Sequence, residues 1–360
     1  MIADAIPLDR LRRALVIKLR HHGDVLLTAP VFSTLKRAAP QCEIDALVYA
    51  DTLPMLTDHP AIAQLHGIGR DWKRRGLLGQ AAAEWALLAQ LRARGYDLII
   101  HLTEHRRGAW MTRLLQPQWA VAPAVRGRGG LWQRSFTHFT AQPLNARRHT
   151  VERHLDALRR IGLQASAADK QVVLVPGRAA EERVAALMAQ HGLGQGSYVH
   201  MHPTSRWLFK CWPAAKFAAL ANRLAEAGMK IVLTAAPDEK EKSFIRDMLP
   251  ALGGATLDLS GQLSLKELAA IAARARLFVG VDSAPMHIAA AMGTPVIALF
   301  GPSGELEWGP WNVAHRVVCS DRHPCRPCGI DGCGGGKVSE CLETLSVDSV
   351  HAACAELLAA

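Results

Sequence analysis

The chain has 360 residues, of which 49% are hydrophobic and 21% charged, and a formal net charge of +10. These proportions exclude a disordered or fibrous chain, and the length exceeds what a single core usually serves, so two domains are expected. The excess charge lies in one half: residues 1 to 165 hold 24 Lys and Arg against 13 Asp and Glu, whereas residues 166 to 360 hold 18 against 19.

In chain order, residues 14–19 read as a first strand. The run is interrupted by Lys18 and is too short for the core of a secretory signal, so a cytoplasmic chain is expected. The next turn reads Lys18-Leu19-Arg20-His21-His22-Gly23-Asp24 and opens a helix predicted over 25–38. Asp24 has two readings there. It is the cap of that helix, or it is a carboxylate placed to take a proton from a hydroxyl. A strand over 43–49, a helix over 77–94, a strand over 98–102 and a helix over 150–160 follow. Residues 162–177 then turn rich in Ala, Ser, Pro and Gly, which sets the expected domains at 1–168 and 169–360.

The second half restarts with a helix over 179–191 and a strand over 198–202. That strand runs into His202-Pro203-Thr204-Ser205-Arg206-Trp207-Leu208-Phe209-Lys210. The Thr204 and Ser205 hydroxyls and the Lys210 ammonium suit phosphate oxygens, with Arg206 as a helper; the bland alternative makes them turn formers and a solvated lysine. A helix over 214–227, a strand over 230–234 and a helix over 265–275 lead to the most informative stretch, LFVGVDSAPMHIAAAMGTPVIALFGPS, residues 277–303. It predicts a strand, a helix capped by Asp282 or Ser283 with Pro285 in its first turn, and a second strand over 296–300. Residues 283–304 contain no Asp, Glu, Lys or Arg, but Pro285, Gly293 and Pro295 break them into elements too short to span a bilayer. A helix N-terminus at the carboxyl end of a parallel strand suits a diphosphate.

Strands alternating with helices imply parallel sheets in an α/β fold of two Rossmann-like doubly wound domains with strand ends facing a cleft. The first turn lacks G-x-G-x-x-G, which disfavours a dinucleotide oxidoreductase. No helix-turn-helix signature or paired RNP aromatics accompanies the positive charge, so nucleic acid is not expected as a partner. The basic half is a solubilising surface or meets something anionic, either phosphorylated glycan or acidic lipid. Cys325, Cys328, Cys333 and Cys341 form C-x2-C-x4-C-x7-C, and two readings stand for them: a structural zinc knuckle or reduced thiols.

GDVLLTAP from Gly23, the loop His202 to Trp212 and VGVDSAPMHIAAA from Val279 together resemble the heptosyltransferases of glycosyltransferase family nine, over nearly the whole chain. The likeness is greatest to the branch that adds the third heptose to the lipopolysaccharide inner core. The resemblance implies a two-domain fold of the GT-B type, with acceptor on the N-domain and ADP-heptose on the C-domain. It also implies inversion in a single displacement. Asp24 matches the family's general base, and Arg20 and His21 beside it fall on the acceptor side. Thr204, Ser205 and Lys210 match the loop that holds the donor diphosphate. Asp238 falls where an acidic residue contacts the donor, and Asp282, Ser283 and His287 match the donor-binding helix start, with Ser283-Ala284 replacing Thr-Gly.

The expected partners are therefore ADP-heptose and the core oligosaccharide on lipid A, with the basic half against the anionic inner leaflet. No cofactor is implied. No two Asp residues are separated by a single residue, so no Asp-x-Asp metal pair is available and metal-independent transfer is expected, with Lys210 and the Ser283 helix end supplying positive field. Transfer to another core position, a same-fold nucleotide-sugar epimerase and a non-catalytic nucleotide-sugar binder are the alternatives.

Overall fold

The computed structural model describes residues 4–141, 147–253 and 256–359. The chain divides into two compact units, Met1–Leu174 and Val175–Ala360, a boundary a few residues beyond the one expected from composition. Among the described residues no helix is long and apolar enough to cross a membrane.

The first unit is built on β1 (Arg13–Lys18), β2 (Glu43–Tyr49), β3 (Gln64–Ile68), β4 (Leu98–His101), β5 (Trp119–Pro123) and β6 (His138–Thr140), all parallel in the order β3-β2-β1-β4-β5-β6. The second repeats the plan with β7 (Tyr198–His202), β8 (Lys230–Leu233), β9 (Thr256–Asp258), β10 (Leu277–Val281), β11 (Val296–Phe300) and β12 (His315–Cys319), in the order β12-β11-β10-β7-β8-β9. The central strands β1, β4, β10 and β11 are largely apolar and β7 sets His200 and His202 among apolar residues; helices cover both faces of a parallel sheet, so nearly every residue in these strands is buried. In each unit the chain builds outward from its first strand, crosses back and builds outward on the other side. That places a crevice between β1 and β4 in one unit and between β7 and β10 in the other, at the carboxyl ends of the strands.

All seven strands expected from the sequence are present. The ones it missed, β3, β5, β6, β9 and β12, lie at or next to sheet edges; β3, β9 and β12 are half-exposed and lack the solid apolar run of a central strand, whereas β5 and β6 are short segments that are mostly buried. One expectation fails. The helix predicted over 25–38 is two helices, His22–Leu26 and Ala29–Ala38, parted where Thr28 Oγ1 donates to Val25 O at 2.6 Å and Pro30 enters the next first turn. His21 occupies the N-cap of the first helix, so Asp24 sits inside it and is not a cap.

A buried carboxylate ties the first unit together. Asp45 on β2 accepts from Arg94 Nε at 2.8 Å and from Tyr96 Oη at 2.7 Å, with His66 Nε2 of β3 at 3.6 Å. Arg94 closes the helix Gly76–Arg94, which stops at Gly95 in the left-handed region, φ 65°. Burial pushes the Asp45 carboxyl up, but the nearby His66 ring and the hydrogen bonds from Arg94 and Tyr96 outweigh it and hold it down to about 2. Because the folded value lies below the unfolded value of about 4, this stabilisation is complete above pH 4 and is lost as pH falls towards 2. Asp45→Asn is expected to destabilise the first unit by about 3 kcal/mol, since it leaves the Arg94 charge without its buried partner. Acid titration followed by circular dichroism checks this: the transition between about pH 4 and 2 should be prominent in the parent and blunted in the variant.

Candidate active site

The crevice of the second unit opens where β7 ends. His200 and His202 point to one side of that strand and share the Thr234 hydroxyl, each at 2.8 Å, while Thr204 Oγ1 lies 3.4 Å from His202 Nε2 and donates to Glu241 Oε2 at 2.7 Å. Burial holds both imidazoles neutral, each down to about 3. A neutral imidazole and a hydroxyl have one proton each, so the carboxylate fixes the direction of the whole chain. Thr204 donates to Glu241, His202 Nε2–H to Thr204, Thr234 to His202 Nδ1, and His200 Nε2–H to Thr234. His200 Nδ1 ends the chain without a hydrogen-bond partner among the described residues. Thr204 is thereby held rigid, with its proton directed to Glu241. Ser205, also buried, accepts from Trp207 N at 3.4 Å.

Across the same crevice Asp282 directly follows β10. Its Oδ2 accepts from Lys210 Nζ at 2.6 Å, so the loop after β7 and the loop after β10 are joined by an ion pair that is mostly buried. The strands can approach this closely because Gly280 faces His202 in register: a Cβ on Gly280 would lie 2.9 Å from His202 O. Ser283 takes the N-cap position of the helix Ala284–Ala291, yet its Oγ bonds back to Val281 O at 3.2 Å and no side chain caps the helix. The first-turn N–H groups, the Lys210 ammonium and the Ser205 hydroxyl therefore gather round one crevice, a set suited to a diphosphate. His287 is buried one turn into that helix, its ring 6.5 Å from that of Trp308. Asp238 is placed differently from these. It is exposed and caps the helix Glu239–Met248, its Oδ1 accepting from Lys240 N at 3.0 Å, while Glu241 two residues into that helix is the acid that reaches the crevice.

The crevice of the first unit holds Asp24. Its Oδ1 lies 3.7 Å from Nζ of Lys18, the last residue of β1, and the carboxylate stays partly open to solvent. Lys18 itself is buried. Its ammonium donates to Leu102 O at 3.2 Å and to His154 Nε2 at 2.8 Å, and His154 Nδ1–H donates to Leu27 O at 3.0 Å. Burial lowers the Lys18 ammonium to about 8 against the opposing pull of Asp24, and burial together with the Lys18 charge holds His154 well below its usual value. The arrangement presents one carboxylate outward and backs it with one buried positive charge. Arg20 is exposed beside it; its carbonyl accepts from Arg70 Nη2 at 3.1 Å, and Arg70 also clamps Asp51 at 3.0 Å and stacks 3.9 Å over Tyr49. His21 is the N-cap of the Asp24 helix.

Sequence reasoning passed over Glu241, Thr234, Lys18, His154 and Arg70. Lys18 alone left a trace, as a charge in the last position of an otherwise apolar strand; the others come from elements distant in sequence. In the C-terminal segment, the thiols of Cys325, Cys328 and Cys333 are exposed and that of Cys341 is buried, which pushes it up. Among the described residues no group of three or more His, Cys, Asp or Glu is arranged to hold a metal ion.

Residues 84–338 match the profile of glycosyltransferase family 9 (heptosyltransferase). The chain is 37% identical to lipopolysaccharide heptosyltransferase 3 of Escherichia coli, over 82% of this chain and 85% of that protein. It is 29% identical to lipopolysaccharide heptosyltransferase 1 of Pseudomonas aeruginosa, over 88% and 86%. Among solved structures, the glycosyl transferase family 9 protein from Veillonella parvula superposes with a TM-score of 0.84 over 99% of both chains at 21% identity. Escherichia coli heptosyltransferase WaaC with ADP-2-deoxy-2-fluoro heptose superposes with a TM-score of 0.73 over 96% of this chain and 99% of that one, at 20% identity. At such identities the likeness shows the fold, of the two-domain GT-B type. The 37% identity over most of both chains and the profile match over more than half of this one show the family: the chain belongs to glycosyltransferase family 9, the heptosyltransferases.

Proposed function

We propose that the chain transfers heptose from ADP-heptose, with inversion, to a heptose of the lipopolysaccharide inner core, adding the third. The observation that carries this reading is the Lys210–Asp282 pair, joining the two crevice loops beside an uncapped helix start. An anionic diphosphate arriving there gains the lysine as a point charge and the first-turn N–H groups as donors, while Asp282 is released toward sugar hydroxyls. Thr204, locked by Glu241, and Ser205 line the same loop, and His287 stands behind the helix start. The donor name comes from the WaaC complex, and the third heptose from the name of the 37% identical relative.

On this reading the second unit holds ADP-heptose and the first holds the acceptor. Asp24 takes the proton of the acceptor hydroxyl as its oxygen attacks the anomeric carbon from the face opposite the leaving ADP, which inverts that centre. Negative charge growing on the leaving diphosphate meets Lys210 and the helix end, so no divalent cation is needed. Arg20 and His21 stand beside Asp24 on the acceptor side. Lys18, His154 and Leu27 O form a fixed chain behind the base, and the Lys18 ammonium keeps the Asp24 carboxylate in one place. The acceptor is borne on lipid A, which puts the enzyme on the cytoplasmic face of the inner membrane.

The reading is tested by incubating the enzyme with ADP-heptose and lipopolysaccharide lacking its outer heptose. Mass spectrometry should show one heptose added, anomeric NMR an inverted linkage, and a chelator no loss of rate. Consumption of ADP-heptose without acceptor would instead indicate an epimerase.

Replacing the base should separate chemistry from binding. Asp24→Asn is expected to lower kcat about a hundredfold or more while calorimetric ADP-heptose affinity stays within about twofold.

The pH profile reports on Lys18. A neutral amine has one N–H fewer and no charge to hold Asp24, so turnover should fall as pH rises through about 8. Lys18→Met should lower kcat roughly tenfold at pH 7 and flatten that alkaline limb, about one hydrogen-bonded charge contact being lost. An unchanged limb in the variant would remove Lys18 from the mechanism.

A further inference from the structure

The helix Gly76–Arg94 buries only Leu87 and Leu91 of its nineteen residues. Its charged residues are Glu84, Arg92 and Arg94, so the turns between Leu77 and Ala89 present an exposed face without charge. Leu77 and Leu78 are each 89% exposed and Trp85 is 72% exposed. Residues 77, 81, 85 and 89 follow one another at helical spacing, as do 78, 82 and 86, and all seven are Leu, Ala or Trp and exposed. The helix Arg106–Leu115 extends this face with Trp110, 54% exposed, and Leu114 four residues on. Trp85 and Trp110 line one open groove of about 490 Å³ between the two helices, bridged by the Arg107–Glu84 ion pair.

An apolar patch of this extent on a surface helix marks a binding face, because a helix of a globular protein ordinarily turns such residues to its own core. The surroundings identify the occupant. Residues 70–113 contain nine Lys and Arg against four Asp and Glu, and Arg74, Arg75, Arg106 and Arg113 are exposed around the patch. Leucines and tryptophans that enter the headgroup zone, rimmed by arginines that pair with anionic headgroups, are the composition of an interfacial membrane contact.

We infer that the face formed by Leu77, Leu78, Trp85, Trp110 and Leu114 seats the first unit on the interfacial zone of an anionic bilayer. The topology gives this seat a direction. The strands of the first unit are all parallel, so the segments that leave β3 and β4 for these two helices start from the same sheet edge as the Asp24 turn. Arg70, which precedes the first helix, bonds the Arg20 carbonyl in that turn. A lipid-borne acceptor would thus meet the base at the edge where the protein touches the bilayer; this orientation rests on the proposed acceptor, whereas the membrane contact itself does not.

The test uses the full chain and a Trp85→Glu/Trp110→Glu variant, in co-sedimentation with vesicles rich in phosphatidylglycerol and with vesicles of phosphatidylcholine alone. The parent should partition onto the anionic vesicles and be released by salt, and the variant should partition about tenfold less or weaker still. Both substitutions are at exposed positions, so melting temperature should hold, as should transfer to a delipidated core oligosaccharide. Failure of transfer to that soluble acceptor in the parent would strike the proposed function and leave the membrane contact standing. Absence of parent binding, equal binding by the variant, or a parent dimer in sedimentation velocity that the variant abolishes would each overturn the inference, the last by making the face an interface between copies.

Discussion

The constraint on which the molecule depends is the one-way direction of its sheets. Strands that all run the same way must be joined by crossovers, and the right-handed crossover returns the chain to the same edge each time. Each unit therefore has one edge at which all its carboxyl-terminal loops open, and one position on that edge where neighbouring loops diverge because the order of building reverses. Lys18 and Asp24 follow from that position in the first unit, and His202, Lys210 and Asp282 in the second. The site residues were not gathered by a special device; any doubly wound sheet leaves an unfilled crevice there, and this sequence has placed its charges in it.

What fills those crevices differs in kind. In the second unit the charge is shared out: Lys210 meets Asp282, and Glu241 closes a chain through Thr204, His202, Thr234 and His200. Burial keeps the two imidazoles neutral, so the chain has no net charge of its own beyond the carboxylate and can hold Thr204 without competing with an incoming anion. In the first unit a single ammonium is buried at the end of β1 with a partly solvated carboxylate at 3.7 Å, a carbonyl and a neutral imidazole around it. A lysine this poorly compensated is expensive to bury, and its lowered proton affinity records that. Such an expense falls where function needs it more often than where packing does.

The central strands and the crevice loops were legible in the sequence because both leave short-range marks. A strand buried on both faces is a solid apolar run, and the LFVGVDSAPMH segment states its strand, its turn and its helix start within eleven residues. The helix around Asp24 was misread because periodicity does not register a break made by one hydroxyl turning back on its own helix; Thr28 looks like any threonine. The edge strands β3, β9 and β12 escaped because a half-exposed strand of three to five residues has too few alternations to distinguish it from loop. Asp238 and Glu241 show the same limit at the site. Both are acids within one turn of the same helix, and only the helix phase, fixed by Asp238 acting as its cap, turns Glu241 inward and leaves Asp238 in solvent.

That phase argument extends to the exposed face of the helix Gly76–Arg94. The sequence there is Leu, Ala and Trp almost throughout, which reads as a core helix, and nothing local distinguishes the side facing the sheet from the side facing out. The anchor does. Arg94 must reach Asp45 on β2, and Leu87 and Leu91, lying seven and three residues before it, share its side of the helix and are the two that are buried. Once that register is fixed, Trp85 and Leu78 have no core left to enter. A helix with apolar residues on both sides but a core on one is under-used by its own fold, and the buried Asp45 carboxylate that orients it is also what holds the other face to solvent.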